Sequence, residues 1–146
     1  DDVIIPPYLA MNIIEQLLDD STGKFAFSTM ANLAMYVGLD EQINKMYEHG
    51  ITLLVPPNRR FNRAQIDVSS LLTEDMRNYT RDFVKCHMIV DNYYEAGVFA
   101  HNSEMDQEQI LVASELGTSM WITTTDGSLR FQSTAILLAD QAAKNG

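Results

Sequence analysis

At 146 residues, with 46% hydrophobic and 21% charged positions, the chain has the length for one core and the composition of a folded domain. A net charge of −10 argues against nucleic acid, whose phosphates are bound by clustered Lys and Arg. No apolar run approaches the roughly 18–20 residues of a membrane-spanning helix, and the single cysteine, Cys86, leaves no internal disulfide.

In chain order, residues 8 to 50 read as helices. Leu9, Ile13, Ile14, Leu17 and Leu18 follow a 3.6-residue period that Ser21-Thr22-Gly23 breaks. Phe27, Met30, Ala31, Ala34, Met35 and Val37 give a second apolar face, with Gly38 at the place of a left-handed C-terminal cap. Asp40 is expected to cap a third, short helix whose apolar side is Ile43, Met46 and Tyr47. From Ile51 the period becomes that of a strand, ended by Pro56-Pro57, which lack backbone donors. Thr73 is the expected N-cap of a helix with Glu74 and Asp75 in its first turn and Met76, Tyr79, Thr80, Phe83 and Val84 on one face. That helix leads into a strand from Cys86 to Val90. Trp121 to Thr125, the Asp126-Gly127 turn and Leu129 to Phe131 predict a hairpin, and Thr134 to Leu138 a further strand. Helices first and antiparallel strands later give an α+β domain rather than alternating βαβ units.

Little in the sequence points to catalysis. There is no G-x-S-x-G, H-E-x-x-H, C-x-x-C or G-x-G-x-x-G pattern. Cys86 and His87 pair a thiol with a base, but neighbours on a strand point to opposite faces, so they are expected to be a small buried side chain and a neutral structural histidine. His49, His87 and His101 lack metal-ligand spacing, and no metal or cofactor is expected. Arg59, Arg60 and Arg63 form a basic island that is either a solvated edge or a contact for a carboxylate or sulfate. Asn78-Tyr79-Thr80 is an N-glycosylation sequon whose Asn78 falls on the side of the helix away from Met76 and Phe83. Eight methionines, with Met11, Met30, Met35 and Met46 in the helical block, fit ordinary core packing or an adaptable apolar groove.

The segment Ile51-Thr52-Leu53-Leu54-Val55-Pro56-Pro57-Asn58-Arg59-Arg60-Phe61 resembles the first signature motif of the fasciclin (FAS1) family, with Thr52, Pro56, Asn58 and Phe61 on its pattern positions. Cys86-His87-Met88-Ile89-Val90-Asp91-Asn92-Tyr93-Tyr94 is similar to the second, a Tyr-His pair followed by an apolar strand and Tyr-Tyr, with Cys86 in place of the first Tyr. Asn12 to Glu15, Val37 to Leu39 and the hairpin Ile122 to Phe131 fall in the family's order, so the resemblance covers about residues 8 to 146.

The resemblance implies a FAS1 fold, with a helical N-terminal block packed on a mostly antiparallel β wedge or sandwich. It implies one domain over residues 8–146 and a linker or tail of a preceding module over residues 1–7. The family's strand after an Asn-Gly such as Asn145-Gly146 is not in the sequence; either the chain is a piece of a tandem array, carrying its predecessor's tail, or its own terminal strand follows Gly146. The implied function is non-enzymatic adhesion or matrix interaction outside the cell or at its surface, as part of a larger protein. His87, Tyr93 and Tyr94 are then the expected contacts for a protein or glycan partner, and self-association is a further expectation. The alternative is a secreted single-domain carrier of an apolar ligand such as a carotenoid or lipid.

Overall fold

The computed structural model describes residues 12–19, 26–45, 50–90, 109–125, 128–131 and 134–135. Its helices are α1 (Ile13–Leu18), α2 (Ser28–Tyr36), α3 (Asp40–Lys45), α4 (Asn58–Arg63), α5 (Val68–Leu71) and α6 (Arg77–Lys85), the last preceded by a 3-10 turn, Glu74–Met76. Its strands are β1 (Ile51–Leu53), β2 (Met88–Val90), β3 (Gln109–Ala113), β4 (Ser119–Thr125), β5 (Ser128–Phe131) and β6 (Thr134–Ala135). Helices and antiparallel strands give the expected α+β class, with β1 set between the helices and β2 to β6 following them.

Helix ends follow local chemistry. Asn12 opens α1 with a capping box: its Oδ1 accepts from Glu15 N at 2.9 Å, and Glu15 Oε2 accepts from Asn12 N at 3.0 Å. Gly38, at φ +75°, closes α2. Leu39 N donates to Ala34 O at 2.9 Å and Gly38 N to Met35 O at 3.1 Å, the pair of bonds that satisfies the last helical carbonyls. The same pair closes α4, where Ile66 N reaches Phe61 O and Gln65 N reaches Asn62 O, but here Gln65 holds the left-handed position at φ +55°.

Strand β1 pairs antiparallel with β2, with Ile51 opposite Val90, Thr52 opposite Ile89 and Leu53 opposite Met88. Strands β3 to β6 form an antiparallel meander. The bridge from Ile89 to Ser114, with Glu115 N donating to Met88 O at 2.7 Å, joins β2 to the end of β3. Gln42 Nε2 donates to Glu115 Oε1 at 3.0 Å and ties α3 to the same turn.

Two apolar clusters result. The larger holds Met30, Leu33, Ala34, Ile43, Ile51, Phe61, Val84 and Met88; the smaller holds Ile89, Val112, Met120 and Ile122. Because successive strand residues alternate faces, Met88 enters the helical cluster and Ile89 the sheet cluster. The β1–β2 ribbon is the wall between them.

Several expectations are corrected. Asp40 is the first residue of α3 rather than its cap, so it acts on the helix dipole with Glu41. Thr73 precedes the 3-10 turn, but its hydroxyl donates to Ser70 O at 2.7 Å and caps nothing ahead. Met35 and Tyr79, expected on apolar faces, are exposed, and Leu33, not among the expected positions, is buried; Thr80 is on the inward face as expected, its hydroxyl satisfied by Leu71 O at 2.7 Å. The strand expected from Cys86 begins at Met88, since α6 runs to Lys85 and Cys86 is its C-cap in the right-handed helical region. Helices α4 and α5 and strand β3 are additions to the sequence reading. Met11, Met46, the Asp126-Gly127 turn and residues 136–138 of the last expected strand lie outside the described residues.

Gln65 generates a prediction. An L side chain in the left-handed region costs about 1–2 kcal/mol, partly offset because glycine loses more backbone entropy on folding. Gln65→Gly should therefore raise the melting temperature, by a net gain of about 0.5–1 kcal/mol. A thermal scan showing no gain, or a loss, would mean that the Gln65 side chain contributes something that offsets its backbone cost.

Candidate functional site

The residues singled out by the first motif meet where α2, α4 and α6 come together. Helix α2 has no capping side chain of its own, since its N-cap residue is Phe27. Asn58 supplies one from across the chain. Its Oδ1 accepts from Thr29 N at 2.9 Å, its Nδ2 donates to Ser28 Oγ at 2.9 Å, and its own N donates to Ala26 O at 2.8 Å. All three polar groups of Asn58 that face α2 are satisfied, and so is one of the amides that every helix start leaves open.

Pro57, extended at φ −65° and ψ 153°, delivers Asn58 into α4, where a missing N–H at the N-cap costs no helical bond. Three residues later Phe61 is 2% exposed. Its ring meets Phe83 of α6 edge-on, with centroids 6.1 Å apart at 60°, and Phe83 meets His87 at 4.7 Å and 45°. The two motifs are thereby in contact through Phe83. His87 also carries main-chain bonds on both sides: its N donates to Val84 O at 3.0 Å, and its carbonyl accepts from Leu54 N at 2.9 Å. Thr52 and Pro56 are half-buried along the β1 segment that ends at this junction.

Cys86 and His87 are closer than a strand would allow. Because Cys86 is helical, its Sγ lies 3.4 Å from His87 Nδ1. Catalytic use of this pair would need Nδ1 to accept the thiol proton. His87 Nδ1 is 2.7 Å from Phe83 O, however, and a carbonyl only accepts, so Nδ1 carries a proton and donates. Cys86 Sγ donates to the same carbonyl at 3.0 Å. Burial pushes the thiol pKa up, with the Asp82 carboxylate adding in the same direction, and burial pushes the His87 pKa below its ordinary value against the pull of the Phe83 carbonyl. Both shifts oppose the thiolate–imidazolium pair that an activated cysteine needs. The arrangement closes the end of α6; it does not activate a nucleophile.

Of the other sequence candidates, Asn78 is exposed on α6, and Arg59, Arg60 and Arg63 are exposed on α4. Met30 is enclosed in the helical cluster while Met35 is on the surface, so these two line no common groove. Tyr93, Tyr94, His49 and His101 lie outside the described residues. Among the described residues no group of three or more His, Cys, Asp or Glu side chains is placed to hold a metal ion.

One surface escaped the sequence reading. Leu111 and Trp121 face each other across β3 and β4 and are 51% and 45% exposed, while their neighbours Val112, Met120 and Ile122 point into the sheet cluster. The signal was the apolar run over residues 110–113 ahead of the Gly117 turn, but an unbroken apolar run does not tell which face of the strand is covered.

The family model of the fasciclin domain matches residues 25–146. The chain belongs to that family. Among solved structures, the fasciclin domain described here is similar to a FAS1 domain pair from the insect cell adhesion molecule fasciclin I, with a TM-score of 0.72 and 13% identity. The likeness covers 93% of this chain and 47% of that one, so the chain spans about half of the pair's length. At this identity it establishes the fold. Among curated proteins none matches the chain in sequence. Fasciclin domains are in general not enzymes, in keeping with the donor–acceptor pattern at Cys86 and His87.

Two predictions follow from this junction. Asn58→Ala removes the cap of α2 and leaves Thr29 N and Ser28 Oγ without partners, a loss of about 1–2 kcal/mol or more in chemical denaturation; an unchanged midpoint would show that water replaces the cap at no cost. His87 sets a pH dependence. In the unfolded chain it binds its proton near pH 6.5, and in the folded chain only at lower pH, so below about 6.5 the unfolded state holds more protons and stability falls as the solution is acidified. His87→Gln should flatten the melting temperature between about pH 6.5 and 5 relative to the parent chain; parallel curves for the two would assign the acid sensitivity to other groups.

Proposed function

We propose that this fasciclin domain is a non-enzymatic interaction module of an extracellular or cell-surface protein that works in adhesion or matrix contact. The observation that carries this reading is family membership over residues 25–146, together with a fold shared with a domain pair from an insect cell adhesion molecule. The exposed Leu111–Trp121 pair supports it, since a large apolar pair left on a sheet surface is a common feature of contact sites. In this reading the chain is part of a larger protein that holds further domains, and its partner is a protein or glycan of the matrix or cell surface.

His87, Tyr93 and Tyr94 are proposed as one contact region. His87 is half-buried, with its Nδ1 engaged by Phe83 O, so its part is to fix the entry of β2 from which the Tyr pair follows. Asn78 is proposed as a glycan carrier. Because the Thr80 hydroxyl is buried and bonded to Leu71 O, transfer to Asn78 would precede the folding of α6.

The chain immobilised on a surface should retain cell-derived matrix saturably, and Leu111→Ser with Trp121→Ser should lower that retention while leaving the melting temperature within a degree or two. No retention above an albumin surface would remove the adhesion reading. A visible absorption band acquired from a carotenoid in the same preparation would then move the assignment to the carrier.

A further inference from the structure

Alternation along the meander lays out its outer face in rows. Val112, Met120 and Ile122 point into the smaller cluster, so the positions between them stand on the other side of the sheet. One row pairs Leu111 of β3 with Trp121 of β4, 51% and 45% exposed. The next row takes one residue from each of three strands, with Gln109 of β3 opposite Thr123 of β4 and Thr123 opposite Arg130 of β5. Gln109 and Arg130 are exposed and Thr123 is half-buried. On the other side of Trp121 along β4, Ser119 is exposed as well.

The spacing follows from sheet geometry. Neighbouring strands lie about 4.8 Å apart, so the polar row crosses roughly 10 Å and stands about 7 Å along β4 from the Trp121 position. An apolar strip built around one aromatic ring thus lies beside a line of an amide, a hydroxyl and a guanidinium. These groups are carried by paired strands, whose ladder holds the backbone beneath them in place before any ligand arrives and lowers the ordering cost of binding.

We propose that this outer face of β3, β4 and β5 binds an uncharged glycan, with Trp121 stacked on a sugar ring and Gln109, Thr123 and Arg130 hydrogen-bonded to its hydroxyls. The inference rests on the interaction-module reading and names a site and a ligand class for it. A pyranose ring has an apolar C–H face and a polar hydroxyl edge, and the two rows supply a surface for each. The net charge of −10 opposes an acidic glycan, whereas a single guanidinium donates to sugar hydroxyls without demanding an anion. Area argues against a folded protein as the occupant. Leu111 and Trp121 together leave open on the order of 200 Å², well below the roughly 800 Å² per partner of a stable protein interface. A short run of sugar rings needs no more than the two rows offer.

Trp121 is the one tryptophan of the chain, so its emission reports on this face directly. The whole chain is titrated with neutral hexasaccharides of glucose, N-acetylglucosamine and mannose, and with a uronate hexasaccharide. At least one neutral hexasaccharide should shift the emission saturably and with little dependence on salt, and the uronate should bind at least about fivefold more weakly. By calorimetry with that neutral ligand, Trp121→Ala should lose about tenfold or more in affinity. Arg130→Gln should lose about threefold or more while keeping the full emission shift at saturation; Arg130 is exposed, so this variant keeps the fold and carries the test even where Trp121→Ala does not. Tyr79→Ala, which removes an exposed aromatic of α6 away from the sheet, should change affinity less than about twofold. No shift with any neutral hexasaccharide, tighter binding of the uronate, or parental affinity in both Trp121→Ala and Arg130→Gln would overturn the proposal. If matrix retention is intact and still lowered by the Leu111 and Trp121 double variant, such a result gives the face to a protein and leaves the adhesion reading standing. With retention absent as well, it removes the adhesion reading too.

Discussion

The bond from Asn58 to the start of α2 is the constraint on which the rest of the domain turns. Helix α2 brings four buried residues, Met30, Ala31, Leu33 and Ala34, to the larger cluster, yet its first turn lacks a capping side chain of its own. By lending its amide, Asn58 fixes where α2 begins and fixes α4 against it at the same time. Phe61 then enters the core at a set place, Phe83 packs on its edge, and His87 packs on Phe83. One long-range contact thus sets the direction in which α6 hands the chain to β2. The far end of α2 is held by the same helix: Arg81 of α6 donates to Val37 O at 3.3 Å, a cation on the carbonyl end of the dipole, and the Arg77 guanidinium lies 5.3 Å from the Tyr36 ring.

The chemistry at the start of β2 follows from this geometry more than from residue type. A cysteine beside a histidine invites a catalytic reading, and the two side chains do approach each other. What decides the matter is the Phe83 carbonyl left open at the end of α6, which takes both donors. The need of a helix end for donors turns the two side chains into a cap. The same logic applies at Asp67, whose carboxylate is committed to Ser69 at the start of α5.

How much of this is legible in the sequence depends on the range of the forces involved. Short-range chemistry reads directly: the Asn12–Glu15 capping box, the Gly38 closure of α2 and the β4–β5 hairpin register follow from residues within a few positions of one another. The strand reading of Cys86 failed because α6 runs to Lys85 and Cys86 keeps helical backbone angles as its C-cap, with no glycine to announce the end. Helix α4 was hidden because Pro56-Pro57 reads as a turn, while the features that stabilise the helix are Phe61 in the core and Asn58 on α2. Of the adjacent Tyr79 and Thr80, both placed inside by periodicity, only Thr80 is inside, held by its bond to Leu71 O, while Tyr79 is exposed. The motif positions at Thr52, Pro56, Asn58 and Phe61 could be located by pattern, but what Asn58 does required knowing where residue 29 lies.

The wall formed by β1 and β2 has a consequence for how the domain tolerates change. Met88 and Ile89 are covalent neighbours, yet one packs with helices and the other with the meander, so the space vacated by a smaller residue at either position cannot be refilled from the other side. Substitutions at these adjacent positions therefore belong to separate coupling groups. Met88 exchanges volume within the cluster of Leu33, Val84 and Phe61 and Ile89 within that of Val112, Met120 and Ile122, so what couples the two positions is their shared backbone rather than a shared cavity.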